Sequence, residues 1–180
     1  MRSPNNRLLL LTHNYPRWRG DYAGVFLQSL VRQFAETGIE TLVIAPHAAK
    51  TERRETQQNI TVRRFRYGPE SFETLAYTGG MHKLAASPLG MIKFCCYLWS
   101  NFWTALYAVW RFKPVLISAQ WIAPSGLIGW LLSLLTGKPL YVTSHGTDIV
   151  LLQKGRLARR VARSVYRRAR KVFVVSNFLK

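Results

Sequence analysis

Acidic residues are what this sequence has least of. Eight Asp/Glu stand against 26 Lys/Arg, giving a formal charge of +18. Beyond residue 90 the only acid is Asp148, against 14 Lys/Arg. Such an excess rewards nucleic acid, an anionic membrane surface or a polyphosphate ligand, and charge alone does not choose among them. Cysteine is nearly absent: Cys95 and Cys96 are adjacent, and no further Cys or His pair accompanies them at ligand spacing. Neighbouring residues rarely bridge, so a disulfide framework is excluded, and reduced, packed thiols with no bound metal are expected. A secretory leader is lacking too. The apolar run Leu8 to Leu11 is cut short by Thr12-His13-Asn14, which predicts a cytoplasmic protein. There is no internal repeat and no low-complexity tract.

Long hydrophobic runs are few. Residues 94–110 and 114–137 carry no charge, which brings both near the roughly 20 residues a spanning helix needs. Gln120, Pro124, Ser125 and Gly126 break the second into a strand, a turn and a helix. The first includes Ser100, Asn101 and Thr104, and reads as a helix lying either deep in the core or in a membrane interface.

What is present is an alternation of strands and helices. Arg7 to Thr12 is a continuous apolar run of the kind a central parallel strand needs when both its faces are covered. After a loop over residues 14–24, the apolar residues Val25, Leu27, Leu30, Val31, Phe34 and Ala35 recur at helical spacing, with Gly38 as the stop. Strands are expected over Thr41–Ala45, Val115–Ser118, Leu140–Thr143 and Val172–Val175. Ile60–Tyr67 alternates and predicts an exposed edge strand. Helices are expected over Ile92–Phe112, Pro124–Leu135 and Arg156–Lys171. Residues 68–90 show weak patterning, with Gly79, Gly80, Pro88 and Gly90 as breakers. The alternation implies an α/β protein with a doubly wound, mostly parallel sheet and right-handed crossovers.

In such sheets ligands bind beyond the carboxyl ends of the strands. Two segments meet that condition. The strand Leu140–Thr143 delivers His145-Gly146-Thr147-Asp148 onto its end, placing an imidazole and a carboxylate where chemistry occurs. His145 suits hydrogen bonding to a sugar hydroxyl or steadying developing charge, although a lone histidine is commonly structural. Asp148 either orients that ring, contacts a substrate hydroxyl or caps the following helix. The loop after the first strand opens a helix near Gly24, and free N–H groups there form an anion site or an ordinary strand-helix turn. Its spacing is neither G-x-G-x-x-G nor a Walker loop, which disfavours a dinucleotide oxidoreductase or a P-loop nucleotidase. The helix Arg156–Lys171 carries eight Lys/Arg and no acid. An apolar stripe of Leu157, Val161 and Val165, with Ala158, Ala162 and Tyr166, completes it. This fits an anionic membrane interface, and no nucleic-acid-binding signature accompanies it.

Several pieces, in order, resemble the amino-terminal domain of family 4 glycosyltransferases of the GT-B fold. They are residues 14–26 (N-Y-P-R-W-R-G-D-Y-A-G-V-F), 35–46 (A-E-T-G-I-E-T-L-V-I-A-P), 121–127 (W-I-A-P-S-G-L), 137–148 (G-K-P-L-Y-V-T-S-H-G-T-D) and 174–180 (V-V-S-N-F-L-K). The resemblance spans essentially residues 1–180. It implies a single Rossmann-like domain corresponding to the acceptor-side half of a retaining enzyme, with the active site in a cleft facing a donor domain. Ala23 and Gly24 would lie near the donor phosphates or the transferred sugar. His145 would sit beside the reacting sugar, with Asp148 supporting its turn. Arg17, Asp21, Gln120 and Trp121 would be acceptor contacts. The family's paired first-loop glycines appear here as Ala23-Gly24, and its histidine pair before Trp121 as Ser118-Ala119-Gln120.

The resemblance further implies a nucleotide-sugar as co-substrate, no cofactor and no metal, and a glycan or lipid-linked acceptor. No counterpart of the donor domain, with its paired glutamates, appears in these residues, so negligible transferase activity is expected from them alone. Many members work at the inner membrane face. Trp99, Trp103, Arg159, Arg160, Arg163 and Arg167 are the expected membrane contacts, with the aromatic rings suited to the interface. The alternatives are a non-catalytic membrane-docking or scaffold subunit of a split transferase, and a basic nucleic-acid-binding domain.

Overall fold

The computed structural model describes residues 6–78, 81, 87–146 and 155–175. Strand β1 (Arg7–Leu11) leads through the first loop into helix α1 (Val25–Glu36). Strand β2 (Glu40–Pro46) and the hairpin β3 (Arg54–Gln57) and β4 (Ile60–Phe65) follow. Helix α2 (Pro88–Phe112) returns the chain to β5 (Leu116–Gln120). A π-type turn (Ile122–Gly126), α3 (Leu127–Thr136), β6 (Leu140–Ser144), α4 (Arg156–Arg168) and β7 (Lys171–Val174) complete the order.

The strands form one sheet in the order β3-β4-β2-β1-β5-β6-β7. All neighbours are parallel except β3, which runs antiparallel to β4. Without β3 the order is that of a doubly wound sheet, and its direction of winding reverses between β1 and β5. Strand side chains alternate, so each face has its own core. Leu9, Leu11, Leu42, Ile44, Ile117, Ala119, Leu140 and Val142 pack under α2, α3 and α4. Leu10, Val43, Ala45 and Val62 pack under Leu27 and Val31 of α1. The near-continuous leucines of β1 are what a strand covered on both faces requires.

The structure departs from the sequence expectation at four places. β4 is not an edge, because β3 lies outside it. Arg64, which made the strand look half-solvated, is only 2% exposed. Its guanidinium donates to Glu55 Oε1 at 3.0 and 3.1 Å, the Pro16 carbonyl at 2.7 Å and the Tyr77 hydroxyl at 3.2 Å. α2 begins four residues early, since Pro88 occupies its first turn and the Ser87 hydroxyl accepts from Gly90 N at 3.0 Å. The segment at 122–126 is a separate turn before α3, with Ala123 in extended conformation. Cys95 is exposed rather than packed, and both thiols are free.

α2 divides its aromatic residues between core and surface. Tyr97 is wholly buried, ringed by Phe65, Tyr67 and Phe94 at centroid distances of 4.9, 5.2 and 6.4 Å. Trp99, Trp103 and Trp110 point outward, 68%, 49% and 71% exposed. On α4, Ala162 and Val165 are buried and Val161 and Tyr166 pack partly against the same core, while Leu157 is exposed, so the expected stripe packs except at its amino-terminal end. Among the described residues no helix is long and apolar enough to cross a membrane.

Candidate functional site

The crevice where the sheet reverses its winding lies beyond the carboxyl ends of β1 and β5, with β6 alongside. β1 ends in a tight turn: the Thr12 hydroxyl donates to the Asn14 carbonyl at 2.9 Å and accepts from Asn14 N at 3.1 Å. Asp21 then organises the first loop. Its Oδ2 accepts from Arg17 Nε at 2.7 Å and Arg17 N at 3.0 Å. Its Oδ1 accepts from Ala23 N at 3.2 Å and the far Arg17 nitrogen at 3.3 Å. The Arg17 guanidinium, and with it the backbone donors, holds the Asp21 carboxyl down at about 2, and Asp21 in turn raises the Arg17 pKa. Arg17 also lies over the rings of Trp18 and Tyr77, at 4.2 and 4.8 Å. Arg17 and Asp21, two of the four expected acceptor contacts, are thus engaged with each other within the loop, where they set its shape.

That shape brings the start of α1 against β1. Gly24 is the N-cap, left-handed at φ 71°, and a Cβ added there would lie 2.6 Å from the Asn14 carbonyl oxygen. Only glycine permits both the conformation and the approach. α1 begins with no acidic residue in its first turn, so its positive dipole end is not neutralised locally. Ala23 sits in this loop with its N–H already bonded to Asp21.

His145 comes off the end of β6 and enters a cluster drawn from four separate segments. Its ring lies 4.2 Å from Trp121 and 5.0 Å from Phe26. Trp121 is in turn 4.3 Å from His13 and 5.9 Å from Phe26. Gln120, only 2% exposed, donates from Nε2 to Ser118 Oγ at 3.2 Å and presents Oε1 to His145 Nε2 at 3.0 Å. Gln120 Oε1 in this orientation accepts from Nε2–H, so Ser118 and Gln120 of β5 position the imidazole. Trp121 itself has φ 67°, a left-handed value unusual for a bulky residue, next to the site. Its backbone is held from both sides: Trp121 N donates to the Thr143 carbonyl at 2.8 Å, and Gly126 N donates to the Trp121 carbonyl at 3.0 Å.

Of the expected site residues, the structure therefore brings together Gly24, Gln120, Trp121 and His145, and adds His13 and Phe26. Gln120 and Trp121 form the buried wall that supports His145. His13 stands directly after the first strand, and that position was its only signal in the sequence. Asp148 and residues 176–180 lie outside the described residues. Arg159, Arg160, Arg163 and Arg167 are exposed on α4, and Trp99 and Trp103 are exposed on α2. No curated protein gives a match to the chain. The family described as glycosyl transferase 4-like domain matches residues 23–180.

Proposed function

The chain belongs to the glycosyl transferase 4-like family, and on that premise we propose that it is the acceptor-side half of a retaining glycosyltransferase. It moves a sugar from a nucleotide-sugar to a glycan or lipid-linked acceptor at the cytoplasmic face of the membrane. The observation that carries this reading is the His145 ring held by Gln120 and Trp121 at the sheet's switch point, beside the α1 terminus that Gly24 opens. His145 steadies the sugar as its bond to the leaving diphosphate lengthens toward an oxocarbenium-like state. The dipole end of α1 and its main-chain amides favour the departing phosphates, with no metal required. Preorganised electrostatics of this kind usually supply the largest catalytic contribution. A donor domain facing the crevice holds the nucleotide-sugar, and without one these residues transfer nothing.

The test is transfer from labelled nucleotide-sugars to membrane-lipid and glycan extracts, with a donor domain supplied on the same or a second chain. Labelled product with the donor's anomeric configuration retained is expected. No product, or inverted product, would remove the reading.

Membrane docking is supported by the outer surface of the helical layer. α2 presents Ile92, Trp99, Trp103 and Trp110 to solvent along about 27 Å of helix, and α4 presents its arginines. Large exposed apolar patches on monomers mark interaction sites, and exposed aromatic rings and arginines on one helical layer fit a lipid headgroup region. In sedimentation with phosphatidylglycerol vesicles at physiological salt, the wild type binds and a Trp99→Ala/Trp103→Ala variant binds at least about tenfold less. Equal sedimentation with phosphatidylcholine, or none with either lipid, removes the anionic membrane from the proposal and points to a soluble acceptor.

A further inference from the structure

A second concavity lies apart from the crevice, on the α1 face of the sheet. The doubly wound pattern calls for a helix between β2 and β4. Here that connection is β3, an antiparallel hairpin strand, so the surface over β4 beside α1 is left uncovered. The result is an open groove of about 650 Å³ between the first loop, α1 and the β3–β4 hairpin. Sequence periodicity explains its lining. Gln28 and Arg32, four apart, share one face of α1, and Glu55 and Gln57, two apart, share one face of β3 opposite Val62 and Ile60. Tyr15 and Val62 form an apolar floor, and Trp18 stands at the loop side, 52% exposed.

The charges of the groove do not cancel. Asp21 is neutralised by Arg17, and Glu55 by the buried Arg64. Arg19 and Arg32 have no carboxylate within 4.0 Å among the described residues. The groove therefore combines two uncompensated guanidinium groups, two side-chain amides and an indole that Arg17 holds in place. Guanidinium forks match carboxylate and phosphate oxygens, amides pair with hydroxyls, and an aromatic face accepts the C–H side of a pyranose ring. An apolar partner helix would leave those cations desolvated and unpaired.

We propose that this groove is a saccharide-binding site for an anionic sugar residue, engaging the acceptor glycan away from the point of transfer. Its place on the acceptor rests on the functional reading above; binding itself does not, and is measured without any transfer. The carboxylate of a uronic acid and the phosphate of a sugar phosphate share the chemistry, with Arg19 and Arg32 taking the anion while Trp18 packs against the ring.

The experiment is ligand-observed NMR titration of the full chain with a galacturonic acid hexamer, glucose 6-phosphate, maltohexaose and inorganic phosphate. Trp18→Ala and Arg32→Gln variants are titrated in parallel. Both positions are exposed, and unchanged thermal unfolding confirms that the variants remain folded. The hexamer or the sugar phosphate binds at least tenfold tighter than maltohexaose, and each substitution weakens it at least fivefold; whichever anion binds tighter names the source. Inorganic phosphate binding as well as either sugar, binding unaffected by the substitutions, or no binding at all overturns the proposal. Transfer activity that persists while the groove binds nothing leaves the functional reading standing, and the converse leaves the groove.

Discussion

Replacing Gly24 with alanine tests how the crevice is built. Two costs are added at once. A left-handed conformation costs an alanine about 1–2 kcal/mol, and Gly24 sits at φ 71°. The new Cβ would also stand 2.6 Å from the Asn14 carbonyl oxygen and 2.9 Å from its carbon, both backbone atoms. No side chain can swing away, so the loop after β1 or the start of α1 must shift, for about 1–3 kcal/mol more. Gly38 supplies the control. It is left-handed too, at φ 83°, but a Cβ there meets nothing within 4 Å. Gly38→Ala therefore carries only the conformational cost. Equilibrium urea unfolding of both variants should show a loss of about 1–2 kcal/mol for Gly38→Ala and of about 2–5 kcal/mol for Gly24→Ala. Equal losses would refute the close approach of α1 to the β1 loop, and with it the location given to the phosphate-facing helix terminus.

Two further outcomes follow from the loop and its neighbour. Because Arg17 depresses the Asp21 pKa to about 2 from an ordinary 3.8, the stabilisation from Asp21 is complete above pH 4. It disappears as pH falls through that range toward 2. The stability difference between wild type and Asp21→Asn should narrow over that window in urea titrations at stepped pH; a difference independent of pH would contradict the ion pair. Arg64→Ala should cost about 1–3 kcal/mol in the same assay, because the Pro16 carbonyl and the Tyr77 hydroxyl lose a buried donor. A loss below about 1 kcal/mol would place Arg64 among the surface ion pairs.

Much of the sheet was legible because burial on both faces leaves apolar runs in strands such as β1 and β2. What was not legible depended on partners far along the chain. β3 reads Arg-Glu-Thr-Gln, with no apolar residue. It is a strand because its backbone pairs with β4 across a turn at Gln58, whose φ is 53°. Arg64 gave β4 the look of an exposed edge, since burial of an arginine depends on Glu55, Tyr77 and Pro16 converging on it. Pro88 read as a breaker, although at the start of a helix it is favoured.

The site followed the same division. His145 and Gly24 stood out locally, one by its place after a strand and the other by opening a helix. The His145–Gln120–Ser118 relay joins residues 25 and 2 apart, and it exists only because β5 and β6 are neighbours, with Gln120 opposite Thr143. The substitution of the family's histidine pair by Ser118-Ala119-Gln120 looked like the loss of a site feature. In the fold, two of those three residues hold the remaining histidine in place. Asp21 was an expected acceptor contact by resemblance alone; its bonds to Arg17 and to Ala23 N within the loop depend on the folded turn.

The most direct measurement on the central claim is the rate of sugar transfer by His145→Ala relative to wild type, with the donor domain present and folding verified by unfolding curves. Loss of a group that steadies charge in the transition state lowers kcat by about 10²–10³-fold, and that fall is the expected result with substrate binding largely retained. Transfer within about threefold of wild type would contradict the assignment of the crevice between β1 and β5 as the site of reaction.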